Sequence, residues 1–252
     1  MILFFSATGN SRHTAEEISR QTGDELINIE DCEKEERYDF TLSEGENIGL
    51  ITPVYFWILP SVVEKFLKNM KIHSRNNRHY TFLVVTYGTT PGASISVADD
   101  YLKKAGCPLK AMYTVQMPDT WTPVFDLSDP EKVRKQNEKA DFQILGVTKK
   151  ILAKQEGDFS DRRLPRILAA PARASYESAR MTSHLHAEDS CIGCGLCARN
   201  CPVQAIEMQD QKPVWVKKQC SMCLRCLHCC PRFAIQYDNK TKKHGQYVHP
   251  QL

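Results

Sequence analysis

The strongest constraint on this chain is a twelve-residue pattern written twice. CIGCGLCARNCP occupies residues 191–202 and CSMCLRCLHCCP residues 220–231. Aligned, they read Cys191-x2-Cys194-x2-Cys197-x3-Cys201-Pro202 and Cys220-x2-Cys223-x2-Cys226-x3-Cys230-Pro231. The agreement runs past the prolines, where Ala205-Ile206 matches Ala234-Ile235. Nine of the eleven cysteines lie after residue 190; only Cys32 and Cys107 precede it, and both are expected to be ordinary thiols. Clustering of this kind points to metal binding rather than disulfides.

The spacing has a geometric purpose. Three cysteines at x2 intervals wrap a loop round one face of an iron–sulfur cube, with backbone N–H groups aimed at its sulfurs. The fourth, followed by proline, ends the loop and ligates the other cube. The expected sets are therefore Cys191, Cys194, Cys197 and Cys230 for one [4Fe–4S] cluster, and Cys220, Cys223, Cys226 and Cys201 for the other. Zinc ribbons instead pair two C-x2-C units across a longer loop. Cys229 directly precedes Cys230; the matching prolines favour Cys230 as ligand, and an alternate-ligand role for Cys229 stays open. Over about residues 185–240 the chain resembles a bacterial two-cluster ferredoxin.

The region from about 188 to 252 is short of apolar residues, so metal is expected to supply part of its stability. It is also basic: nine Lys and Arg against three Asp and Glu from residue 191 onward, within a chain of net charge +3. Ligated thiolates would cancel part of that excess, so no nucleic-acid partner is expected. No apolar run is long enough to span a membrane. MILFFSATGN has no basic segment and no small-residue cleavage site, so the expectation is a cytoplasmic protein without a signal peptide.

Residues 1–156 alternate strand and helix patterns. Strands are expected at 1–6, 24–30, 47–56, 81–88 and 110–118, and helices at 11–21, 60–70, 92–106 and from about 128 to 155. Ser61 with Glu64 and Ser128 with Glu131 read as capping boxes. Five strands interleaved with four helices predict an α/β, doubly wound parallel sheet. Residues 157–187 read as a helix-containing linker, and 188–252 as a small α+β module.

FFSATGNSRHTA (4–15) lies between the first strand and the first helix, where N–H groups and the helix dipole attract an anion. It lacks the glycine pattern of dinucleotide folds and the GK[ST] of a P-loop. Ser6, Thr8 and Ser11 offer hydroxyls, Asn10 an amide, and Gly9 a close backbone approach. This resembles the FMN phosphate loop of flavodoxins, and the resemblance covers residues 1–156. It implies strand order 2-1-3-4-5 and a flavin ring at the point where that order reverses. The loops there read PVYFWILP (53–60) and TYGTTPG (86–92). Tyr55, Phe56, Trp57 and Tyr87 suit stacking on the ring, and Gly88 and Gly92 let backbone approach its edge. Trp121 is a weaker candidate, and His13 is expected in the first helical turn.

Together the two halves resemble the flavodoxin–ferredoxin fusion proteins of anaerobic bacteria. That resemblance implies electron transfer between FMN, two clusters and a redox partner protein. Lys212, Lys217, Lys218, Lys240, Lys242 and Lys243 could steer an acidic partner. The alternatives are a flavin-dependent reductase of a small organic acceptor fed by the clusters, and a redox sensor. Nothing resembles an NAD(P)-binding domain.

Overall fold

The computed structural model describes residues 1–74, 79–161 and 164–251. Residues 162–163 of the expected linker and residue 252 lie outside the described residues.

The elements run β1 (Ile2–Phe4), α1 (Asn10–Thr22), β2 (Leu26–Asn28), α2 (Ile29–Glu35), β3 (Asp39–Leu42), β4 (Ile48–Pro53), α3 (Ser61–Asn69), β5 (Lys71–Ser74), β6 (Thr81–Tyr87), α4 (Ser94–Lys104), β7 (Ala111–Gln116), α5 (Pro130–Leu152) and β8 (Gly157–Phe159). The chain continues with α6 (Ala169–Ala179), β9 (Leu185–Ala187), α7 (Leu196–Arg199), β10 (Ile206–Gln209), β11 (Lys212–Trp215), α8 (Arg225–His228) and β12 (Ile235–Tyr237). Six strands form one parallel sheet in the order β2-β1-β4-β6-β7-β8. Its first five reproduce the predicted order. The sixth is a correction: β8, expected to begin the linker, pairs with β7 through Ala111–Gly157 to Tyr113–Phe159.

The central strands are largely apolar because both faces are covered. Ile2, Phe4, Phe82 and Val84 point into the layer beneath α1 and α5. Their neighbours Leu3, Phe5, Leu83 and Val85 point into the layer beneath α3 and α4. That second layer continues into the C-terminal module through Leu185, Ala205, Leu227 and Ile235. The module itself is two antiparallel pairs, β10 with β11 and β12 with β9, and two short helices.

Local readings fail where a neighbour outcompetes them. The 24–30 strand stops at Asn28, whose side chain caps α2 by accepting from Glu30 N at 3.0 Å. Pro60 is the N-cap of α3, so Ser61 is already helical and makes no cap; Glu64 instead pairs with Arg173 of α6 at 2.5 and 2.7 Å. Asp129, not Ser128, caps α5, with Pro130 at the first helical position where its missing N–H costs nothing. No helix among the described residues is long and apolar enough to cross a membrane.

Candidate functional site: a cleft and two thiol cavities

At the carboxyl ends of the strands, beside the β1/β4 reversal, lies a cleft of about 400 Å³. Its floor is the loop after β1. Gly9 is the N-cap of α1 and no side chain caps the helix, so the first N–H groups of α1 have no acceptor within the helix. Ser6, Thr8, Asn10 and Ser11 line the cleft beside them. Gly9 is not among the lining residues, and its role is to start the helix. Ser11 and Thr86 share a hydroxyl–hydroxyl hydrogen bond of 2.7 Å, and Asn10 Nδ2 donates to Pro118 O at 3.2 Å. Asp119 is the only charged side chain among the described residues lining the cleft.

The walls are aromatic. Tyr55 and Ile58 exchange both backbone hydrogen bonds, at 2.9 and 3.0 Å, which closes a two-residue turn at Phe56 and Trp57. Both turn residues have positive φ, 47° and 65°. Such a turn favours Asn-Gly, and each non-glycine residue held there costs ~1–2 kcal/mol. Strain of this kind collects at ligand clamps. Phe56 stacks on Tyr176 of α6 with centroids 5.5 Å apart and meets Trp121 edge-on at 5.0 Å. Trp57 is 49% exposed. Tyr87 closes the opposite side and donates to Asp161 at 2.8 Å.

Gly88 lines the cleft and has a steric purpose besides. A Cβ there would sit 2.3 Å from Asp119 Cβ, so glycine makes room for that carboxylate. Thr89 Oγ1 and Trp121 N donate to Asp119 at 2.8 and 3.1 Å. Burial nevertheless raises its pKa above the ordinary carboxylate value.

Two further cavities lie in the C-terminal module. One is lined by Cys191, Cys194, Cys197 and Cys230; the other by Cys201, Cys220, Cys223 and Cys226. These are the two sets read from spacing, including the exchange of the fourth cysteine. Cys229 lines neither and ends α8. The copies share a backbone pattern: Gly193, Gly195 and Gln204 in the first, and Met222, Leu224 and Phe233 in the second, all have positive φ. They also share an amide-to-sulfur bond, Ala205 N to Cys201 Sγ at 3.2 Å and Ala234 N to Cys230 Sγ at 3.3 Å. Burial pushes the Cys220 thiol up to about 11 and the Cys223 thiol up to about 12. Thiolates held there need a neighbouring cation, which the iron of a cluster supplies, so the donor set fits that group. Among the described residues, no three His, Cys, Asp or Glu side chains are arranged round a single metal ion.

The cleft and the second cavity share a wall. Met222, Cys223 and Leu224 line the cleft from the C-terminal side, and Cys223 and its neighbours also line the cavity. Sequence reading missed this, as it missed Asp119 and Ser175 of α6 in the cleft. No motif marks those residues, since only the docking of distant segments brings them there. His13 is buried and is not among the cleft-lining residues; it bonds Asp141 at 2.7 Å and stacks on His249 at 4.1 Å. His184 pairs with Asp238 at 3.1 Å. Cys32 and Cys107 are fully buried.

A flavodoxin-domain family model matches residues 1–142 and a 4Fe-4S binding domain model matches residues 186–207. The first match spans more than half of the chain, which therefore belongs to the flavodoxin-domain family. The chain is a flavodoxin domain joined to a C-terminal 4Fe-4S binding domain, a pairing that supports an electron-transfer role and suggests FMN and a [4Fe–4S] cluster as cofactors. No curated protein gives a significant match. Among solved structures, the Trp repressor binding protein from Bacillus subtilis is similar at 11% identity and a TM-score of 0.39, over 62% of this chain and 100% of that one.

Proposed function

We propose that the protein passes electrons between an FMN in the cleft and two [4Fe–4S] clusters, one in each thiol cavity, and exchanges them with a partner redox protein. Residues 1–156 would hold the flavin and 188–252 the clusters, with 157–187 joining them. The observation that carries the reading is Cys223, which lines both the cleft and the second cavity. FMN supplies one- or two-electron chemistry and each cluster one-electron chemistry, so the set matches electron pairs to single electrons.

The chain's own residues hold and orient these groups. Ser6, Thr8, Asn10, Ser11 and the N–H groups after Gly9 would hold the phosphate. Tyr55, Phe56, Trp57, Tyr87 and Gly88 would wall the ring. Cys191, Cys194, Cys197 and Cys230 would ligate the outer cluster, and Cys201, Cys220, Cys223 and Cys226 the inner one. The outer set opens to solvent at Cys194 and beside Ile192, which is 60% exposed, so a partner would dock there. Exposed Lys218 and Lys243 would steer an acidic partner toward it.

Anaerobic purification with iron, sulfide and flavin analysis tests the reading directly. The expected content is about eight irons and about one FMN per chain. Colourless protein, or protein holding only zinc, overturns it. A reductase reading has one observation in its favour: Asp119, whose pKa burial raises, stands on the cleft wall where it could exchange a proton with an acceptor. Turnover of a small organic acceptor with no carrier protein present would favour that reading.

A further inference from the structure

An anion site needs donors turned inward and acceptors turned away, and in the loop after β1 most acceptors are held by the C-terminal module. Arg225, between Cys223 and Cys226, donates from Nη2 to Ser6 O at 2.5 Å and from Nε to Ala7 O at 3.0 Å. The His249 amide donates to Thr8 O at 2.8 Å. The Tyr247 hydroxyl donates to Asn10 Oδ1 at 2.7 Å, with Asn137 Oδ1 a second acceptor at 3.0 Å. Three successive carbonyls and one side-chain oxygen are thus drawn off the cleft by residues more than 200 positions away in sequence.

The donors are themselves held in place. Arg225 is paired with the buried Glu30 and also donates to Asn200 O at 3.0 Å. Gln246 Nε2 donates to Leu227 O and Cys230 O at 2.6 and 2.8 Å, fastening residues 244–251 to the end of α8. His249 stacks on His13.

We infer that Tyr247 and Arg225 are positioning residues for phosphate recognition, so that the C-terminal strap and the second cysteine loop set the affinity of the first loop for a phosphomonoester. This rests on the FMN reading above. With its oxygen held by Tyr247, Asn10 can present only its NH2 end to an anion. With Ser6, Ala7 and Thr8 carbonyls engaged elsewhere, the loop presents N–H and hydroxyl groups. Neither residue touches the flavin; both act through the loop.

The test compares FMN with riboflavin, which has the same ring and no phosphate. Dissociation constants are measured by flavin fluorescence on full-length, cluster-loaded protein stripped of flavin, with iron content assayed in parallel. Tyr247→Phe should weaken FMN about tenfold, the worth of one charge-linked hydrogen bond, and leave riboflavin within about twofold. Arg225→Lys keeps the charge opposite Glu30 but loses the fork, and should act in the same direction with iron retained. Unchanged FMN affinity in both variants overturns the inference while leaving the FMN reading intact. An equal loss for both flavins also overturns it, because that is damage to the fold. Wild-type protein that binds neither flavin removes the underlying reading and the inference with it.

Discussion

The two cysteine loops are copies in sequence and in backbone, yet they face different surroundings. The first places glycine at its left-handed positions, Gly193 and Gly195; the second places Met222 and Leu224 at the matching ones. Holding a non-glycine residue there costs ~1–2 kcal/mol. Met222 and Leu224 are each only 3% exposed and line the flavodoxin cleft. Burying a side chain of that size contributes ~1.5–3 kcal/mol, which offsets the strain. In the first copy a Cβ at Gly193 would lie 2.9 Å from Gln211 O and one at Gly195 2.9 Å from Arg199 Nη1, so glycine is the residue that fits there. At these two positions, what each loop packs against, rather than the repeat itself, decides the residue.

The largest expected difference between the copies is in chemistry. Cys226→Ser should remove about four of about eight irons and also the electron communication between flavin and the outer cluster. Cys194→Ser should remove the same amount of iron and leave flavin-to-inner-cluster transfer intact. Stopped-flow absorbance of the two variants separates them, and identical behaviour would contradict the proposed order of flavin, inner cluster and outer cluster.

Exchanging the strained positions comes next. Met222→Gly relieves backbone strain but removes a buried side chain worth ~2–5 kcal/mol, so a net loss of ~1–3 kcal/mol is expected. Gly193→Ala should cost ~1–2 kcal/mol, because φ is +68° and the new Cβ would lie 2.9 Å from Gln211 O. Denaturation midpoints measure both. A stabilised Met222→Gly would mean that strain outweighs burial in the inner loop.

The strap supplies a pH test. Burial first, and the neighbouring His13 second, lower the His249 pKa to about 4. A histidine in the unfolded chain titrates near ~6.5. Between about 6.5 and about 4 the unfolded state binds a proton that the folded state refuses, so stability falls as pH falls through that window and levels off below it. Melting temperatures should show this slope, and His249→Gln should reduce it; equal slopes would remove His249 from its cause. The smallest effect is expected at the outer surface. Reversing charge at Lys218 and Lys243 should slow transfer to an acidic partner by about two- to threefold at low ionic strength, and the difference should vanish as salt screens it.

Legibility in the sequence followed the range of the interactions. The two thiol groupings were readable because three cysteines of each lie in one C-x2-C-x2-C run, and the repeat supplies an internal control at Cys230 against Cys229. Of the twelve cleft residues named from sequence, only Gly9 and Gly92 do not line the cleft, since strand ends and their loops are marked by apolar runs and turn chemistry. The two capping boxes failed because Pro60 and Asp129 hold the cap positions and Arg173 claims Glu64. Asn28 with Glu30 and Asp31 behind it was a usable signal for α2 that the strand-like 24–30 pattern obscured. Ser175 and Tyr176 carried no signal, because α6 reads as an ordinary linker helix until Phe56 stacks on it.

The sequence by itself determined the two cysteine runs and the loop at the head of the first helix, because each is written in about a dozen neighbouring residues; the strand order followed from the resemblance to flavodoxins. Only the tertiary structure decided which cysteine loop shares a wall with the cleft and how the chain's last residues clasp the first loop. Arg225 and Ala7 stand 218 positions apart, and no local pattern could announce their contact. It exists because both modules bury apolar surface against each other, and their polar groups must then find partners across the join.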